Sequence, residues 1–297
     1  MNEISSPAMR APCIPQPAIK ILSMMRRHFA ICAALLTLSI PSLAWGPEGH
    51  RIVADVAAHH LNAVAKRRIR DLLGNDDLAA VSTWADEIKN QRRETYFWHF
   101  VDIPWNANNF SESRDCSRAS GMRSADIQYR HNCVVDEILA FQRVLSDHAA
   151  SRSEQTEALK FLVHFVADIH QPLHAIGEAH GGNDVHISEF GQSECGARPC
   201  NLHFTWDIGL IEHAHRSEPN YVAHIEKLIL QANLQNQADG TAEDWANESF
   251  KVAHQVWLND GESVDERYYR QSIGVLDKQL ALAGLRLAKL LNRAVGE

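Results

Sequence analysis

The chain has 297 residues, with 29 Lys and Arg against 37 Asp and Glu, a formal charge of −8, and 17 histidines. An acidic balance of this kind excludes general electrostatic binding to nucleic-acid backbones, although bound divalent cations reverse the sign locally. Composition alone therefore does not exclude a phosphate ligand.

At the N-terminus, Arg26, Arg27 and His28 precede an apolar run over residues 29–40, and Ser42 and Ala44 occupy the −3 and −1 positions of a cleavage site. Residues 1–44 read as a secretory signal peptide, with translation starting near Met24 or Met25. The run is shorter than the ~20 residues that span a bilayer, so no stable membrane anchor is expected. Cleavage leaves residues 45–297 as one large domain with a single sizeable core, either periplasmic or secreted, with 25 Lys and Arg against 36 Asp and Glu and a charge of −11. No motif points to an obligate protein partner.

Beyond the leader, Pro47 opens a helical periodicity running through Ile52, Val53, Val56, Leu61 and Val64 to Leu73 and Gly74. The stretches 133–148 and 264–294 carry apolar residues at three- and four-residue steps without proline. Ser151 with Glu154 opens 153–170, Pro219 opens 219–236, and Thr241 with Asp244 opens 242–258. Strand signals are confined to 96–103 and 184–188, which are expected to pair as a small irregular sheet, while 106–121 and 177–199 read as loops. The fold class is mainly α, with ligand-bearing loops between helices.

Cys116, Cys133, Cys195 and Cys200 remain after the leader, and four cysteines permit three connectivities. Cys116–Cys133 and Cys195–Cys200 are favoured because each closes a short loop between helical stretches in an exported chain. The alternative, a Cys-rich zinc knuckle, calls for closer CxxC spacing.

The chemistry is carried by histidine and aspartate. His164 and Asp168 stand at i and i+4, as do His203 and Asp207, so each pair leaves one helical face about a turn apart and can share a metal ion. Zinc accepts imidazole nitrogen and carboxylate oxygen, and a catalytic site keeps a position open for water. Between the pairs, Pro172 ends the helix and turns His174 toward a second ion, whereas His170 is out of phase and reads as a supporting residue. HExxH, a GxSxG elbow and a P-loop are all absent from the sequence.

Ordered along the chain are Trp45 with His50, Trp84-Ala85-Asp86, Trp98-His99-Phe100-Val101-Asp102, His164 to His174, Gly181-Gly182-Asn183, and His203 to Asp207. In these motifs, spread over essentially all of 45–297, the chain resembles the S1/P1 nucleases, a fold shared with zinc-dependent phospholipase C. The resemblance implies a single helical domain with three Zn2+. Asp86, His99, His164 and Asp168 would hold one ion and His174, His203 and Asp207 a second. Trp45 and His50 would hold the third, with Asp168 bridging and the freed α-amine and carbonyl of Trp45 as ligands.

It further implies an exported endonuclease acting on single-stranded DNA and RNA and on nucleotides, giving 5′-phosphorylated products, with 3′-nucleotidase activity. A zinc-bound hydroxide would attack phosphorus in line, at ions held by Asp86, Asp168 and Trp45, while the His174 zinc would stabilise the departing 3′ oxygen. Phe100 and Asp102 fall at positions of a nucleoside pocket. The plain alternative makes Phe100 core and Asp102 a loop cap. Asn183 either contacts substrate or shapes the Gly181-Gly182 loop. Lys89 stands where the family often has Arg, keeping the charge but losing the planar fork. Phospholipase C and a non-catalytic zinc-binding protein are the rival readings. Against the first stand the short Trp45 to His50 gap and an aspartate, not a glutamate, at 207.

Overall fold

The computed structural model describes residues 45–116 and 133–296. The leader expected over 1–44 lies outside the described residues, as does the end of the loop expected over 106–121. No described helix is long and apolar enough to cross a membrane.

The periodicity over 47–73 resolves into two helices, α1 (Pro47–His60) and α2 (Ala63–Leu73), not one. Leu61 is extended and the Asn62 side chain caps α2, accepting from the Ala65 N–H at 2.8 Å. A short polar side chain that can bond the backbone favours a cap over a helix interior, and this is the reason for the break. Asn292 holds the junction by accepting from the Asn62 N–H at 2.8 Å and donating to the His60 carbonyl at 3.1 Å.

Five further long helices follow: α3 (Val134–Ser146), α4 (Arg152–Asp168), α5 (Glu218–Gln231), α6 (Ala242–Val256) and α7 (Glu266–Val295). Both expected capping boxes form, Ser151 with Glu154 on α4 and Thr241 with Asp244 on α6, each contributing about 1 kcal/mol. Helix α5 stops at Gln231, short of 236, because Asn233 takes a left-handed φ of 51° and starts a separate 3-10 turn.

The expected pairing of 96–103 with 184–188 does not occur. Arg93–His99 is instead a 3-10 helix, because Trp98 turns inward against Phe141 at 5.9 Å and Phe161 at 5.5 Å between ring centres. The extended part, 100–103, pairs with the turn after α4. Val101 N–H donates to the His174 carbonyl at 2.8 Å and Gly177 N–H to that of Ile103 at 2.9 Å. Ser188–Glu189 runs parallel to Ser263–Val264, and Glu194–Cys195 forms a hairpin with Arg198–Pro199. Both favoured disulfides are present, Cys116–Cys133 and Cys195–Cys200, so their sulfurs are not available to a zinc knuckle.

Helix α4 is the centre of the molecule. From Phe161 to Asp168 every residue is fully buried, so this second half of the helix is apolar on all sides apart from His164 and Asp168. Helix α7, about 45 Å long by its 30 residues, braces α1. At Gly284 the two backbones come so close that a Cβ would lie 2.7 Å from that of Val56 and 3.2 Å from the Val53 carbonyl. Gly284→Val should lower stability by about 1–3 kcal/mol through overpacking, read as a lower midpoint in urea. An unchanged midpoint would mean that α1 and α7 are not tightly seated there.

Candidate metal centre

Trp45 begins the site. Its side chain is fully buried and its indole N–H donates to the Ala167 carbonyl at 2.9 Å, seating the residue beside Asp168. Gly46 N–H donates to the Asp207 carbonyl at 2.8 Å, and α1 then carries His50 into the core one turn later. Thus the stretch that opens α1 meets the last turn of α4 and the residues around 207.

Asp168 is the junction. Its Oδ2 lies 3.0 Å from His99 Nδ1 and 3.3 Å from His164 Nε2, while its Oδ1 lies 3.3 Å from His50 Nε2. Asp86 closes the first set from the opposite side, at 3.8 Å from both His99 Nδ1 and His164 Nε2. His174, His203 and Asp207 form a separate buried set, with His203 Nε2 3.3 Å from Asp207 Oδ2. The described residues thus bring all eight expected side-chain ligands into three groups that could each hold an ion.

The unused edge of each ring shows how these side chains are aimed. Nδ1 of His164, His174 and His203 bonds the carbonyls of Ser82, His99 and Gly181 at 2.7, 2.8 and 2.7 Å. With the N–H on that side, Nε2 keeps its lone pair toward the interior. The contact to Gly181 needs glycine: its φ is +65°, and a Cβ would sit 2.5 Å from the Leu173 carbonyl. His203 lies in the short helical turn just before a π-helical turn, Thr205–Gly209, that contains Asp207, a geometry common at functional sites. Thr205 donates its hydroxyl to Glu189, and Gln171 donates to Asp207 Oδ1 at 2.5 Å.

The donor set fits a divalent cation. His50 Nε2, His174 Nε2 and Asp168 Oδ1 are buried without a hydrogen-bond partner, which burial makes costly unless a cation is there. Burial, and next the neighbouring His164, lowers His50 to about 4, and burial followed by His174 lowers His203 to about 3. Both rings are therefore neutral at physiological pH, as a metal ligand must be, whereas in His164 burial is outweighed by Asp168 and Asp86, which raise it to about 8, so a cation bound there would displace its proton. Burial pushes Asp207 well above the usual carboxylate range, with Asp168 and Asp86 adding to it. In Asp86 burial also raises the carboxyl, but His164, His99 and Lys89 outweigh it and hold the group down.

His170 is not part of any set. Its Nδ1 bonds the Val166 carbonyl at 2.7 Å, and its Nε2 accepts from Arg286 at 2.9 Å, which in turn pairs with Glu248. That network ties the end of α4 to α6 and α7.

A cleft of about 450 Å³ opens onto the candidate metal ligands, lined by His99, His174 and His203 and by Lys89, Phe100, Asp102 and Asn183. Alternation along extended 100–103 places Phe100 and Asp102 on the cleft while Val101 and Ile103 are buried. Phe100 is half-buried at a wall, so the reading of it as plain core does not describe its position. Asn183 lines the cleft and donates to the His180 carbonyl at 2.9 Å, a bond that holds the loop carrying Gly181 and Gly182. Lys89 is buried and binds Asp86 Oδ1 through one nitrogen at 2.7 Å. Tyr96, Phe97 and Ile176 also line the cleft and were not picked out from sequence. Tyr96 and Phe97 read there as strand.

If Asp168 serves two sets, Asp168→Ala should cost the purified protein at least two bound ions per chain by elemental analysis, and His203→Ala only one. Loss of a single ion from Asp168→Ala would show that its carboxylate is not shared.

Comparison with known proteins agrees with this geometry. The S1/P1 Nuclease family profile matches residues 45–296, beginning at Trp45. Endonuclease 4 of Arabidopsis thaliana is 31% identical, with 91% of this chain and 96% of that protein covered. Nuclease P1 of Penicillium citrinum is 29% identical over 85% of this chain and 98% of its own, and nuclease S1 of Aspergillus oryzae 27% over 90% and 98%. A family match over the whole described chain, with a 31% identical relative covered almost end to end, means that this chain belongs to the S1/P1 nuclease family.

Proposed function

We propose that this protein is an exported, zinc-dependent endonuclease that cleaves single-stranded DNA and RNA to 5′-phosphorylated products and removes the phosphate from nucleoside 3′-monophosphates. The observation that carries the reading is the buried Asp168 carboxylate, divided between His50 on one oxygen and His99 and His164 on the other, beside an aromatic cleft. Relatives named as endonucleases and nucleases support the same class of reaction. The two disulfides support export.

Zinc would be held in three places: by Asp86, His99, His164 and Asp168; by His174, His203 and Asp207; and by Trp45 with His50 and the shared Asp168. Bound there, zinc supplies Lewis-acid charge for the phosphate oxygens and lowers the pKa of a coordinated water toward ~7. The remaining work falls to the chain. Phe100 offers a face on which any base can stack, and Asp102 accepts from base N–H groups at the same wall. A duplex keeps its bases inside the stack, so the cleft selects single strands. Lys89 fixes Asp86 Oδ1, leaving its second oxygen to face His164.

Trp45 adds a requirement of its own. Residues 1–44 form the leader and 45–297 the catalytic domain, and the α-amine of Trp45 exists as a ligand only after cleavage behind Ala44. Before cleavage that nitrogen is an amide with no basic lone pair.

Purified residues 45–297 should release 5′-nucleotides from single-stranded DNA and RNA, lose this activity to a chelator and regain it with zinc. Phosphatidylcholine cleavage without nucleotide release would sink the nuclease reading in favour of a phospholipase. An Ala inserted before Trp45 should lower activity by no less than the about 10–100-fold that loss of a residue merely supporting a metal ligand costs, with circular dichroism unchanged. Full activity of that variant would refute coordination by the terminal amine.

A further inference from the structure

Next to the metal-facing cleft lies a second cavity of about 600 Å³ that the proposed reaction does not use. Pro104, Trp105 and Asn106 form one wall and Gly177, Glu178 and His180 the other. Asp102 and His180 line both cavities, so the two adjoin along one edge. The volume is within the ~300–1,000 Å³ usual for small-ligand sites.

Trp105 is the feature that asks for an explanation. It is one of the few large apolar side chains exposed among the described residues, at 38% of its surface. Its ring is backed by His254, 4.0 Å between centres, and by Trp257 at 5.2 Å, so its orientation is set by α6 and the residue that follows it. The backbone is held as well. Segment 100–103 pairs with 174–177, and Ala107 N–H donates to the Pro104 carbonyl at 2.8 Å. A large aromatic face that is already fixed loses little rotamer freedom when something flat is laid on it.

The polar groups around it narrow what that something is. Asp102 and Glu178 put carboxylates on the cavity wall, which repel a phosphate entering the cavity and accept from N–H donors. An acyl chain would find the same carboxylates unfavourable to desolvate. A nucleobase suits the combination: a π-face for the indole and an edge with amino or imino donors for the carboxylates. At most about 17 Å of chain separates Phe100 from Trp105, a span of a few nucleotides.

We propose that this cavity is a second base subsite, in which Trp105 stacks the base of a nucleotide adjacent to the one held at Phe100. The inference rests on the nuclease reading above and extends it by naming how the strand continues. A single-stranded chain passes from one cavity to the other across the edge at Asp102 and His180, with its phosphates on the solvent side. A nucleoside 3′-monophosphate fills the first cavity and has nothing to place in the second.

The test compares kcat/KM for a ten-residue single-stranded oligonucleotide with that for a nucleoside 3′-monophosphate in the zinc-loaded enzyme. Base stacking of the usual strength predicts that Trp105→Ala lowers the ratio of the two about 10-fold, through KM for the oligonucleotide. Trp105→Leu keeps apolar contact with His254 and Trp257 but removes the π-face, so it should lower the ratio similarly and stands in if the alanine variant does not fold. Trp105→Phe should keep the ratio within about 2-fold. An unchanged ratio in Trp105→Leu, including an equal fall for both substrates from a merely structural role, overturns the subsite. A wild-type enzyme that cleaves neither substrate overturns the nuclease reading, and the subsite with it.

Discussion

One buried carboxylate organises this protein. Asp168 lies in the last turn of a helix with no exposed side-chain surface near it, where the carbonyl end of the helix is already partly negative. Burying an anion there is unfavourable by several kcal/mol unless positive charge is supplied at close range. Three imidazoles converge on it, two of them stacked with ring centres 3.9 Å apart. Burial lowers His50 and His99, and only in His164 do Asp168 and Asp86 outweigh burial and raise the ring to about 8, so a single imidazolium faces the two carboxylates Asp168 and Asp86. The groups around it could hold cations that would balance the remaining charge.

The rest of the fold can be seen as the means of bringing that helix end together with distant pieces of chain. Helix α1 delivers His50, the 3-10 turn after Arg93 delivers His99, and the short helix Trp84–Ile88 delivers Asp86. Carbonyls of otherwise ordinary turns, at Ser82, His99 and Gly181, lock the rings. Because the locks are backbone atoms, they depend on the path of the chain more than on side-chain identity. The buried network of His170, Arg286 and Glu248 has a different job, holding the end of α4 against α6 and α7 so that the turn carrying His174 starts from a fixed place.

The groups that line the cleft are arranged by a different rule. The extended segment 100–103 alternates inside and outside, so a single strand-like stretch supplies both core anchors and cleft walls. The same stretch runs on to Trp105, which makes the two cavities parts of one surface.

Much of this could be read in the amino-acid order because it is local. The i, i+4 spacing of His164 with Asp168 and of His203 with Asp207, the capping boxes at Ser151 and Thr241, and the close cysteine pairs each express contacts within a turn or a short loop. The family motifs told which distant residues to group. What stayed hidden were contacts between segments remote in sequence. The aromatic run 96–98 has the composition of a strand, but Trp98 gains more by packing on Phe141 and Phe161, and 100–103 finds its partner at 174–177, not at 184–188. Likewise the division of Asp168 between its two oxygens, and the joining of Trp105 to the edge of the cleft, depend on where whole helices meet. Periodicity reports which face of an element is apolar, but the partner of that face is chosen by packing across the entire core.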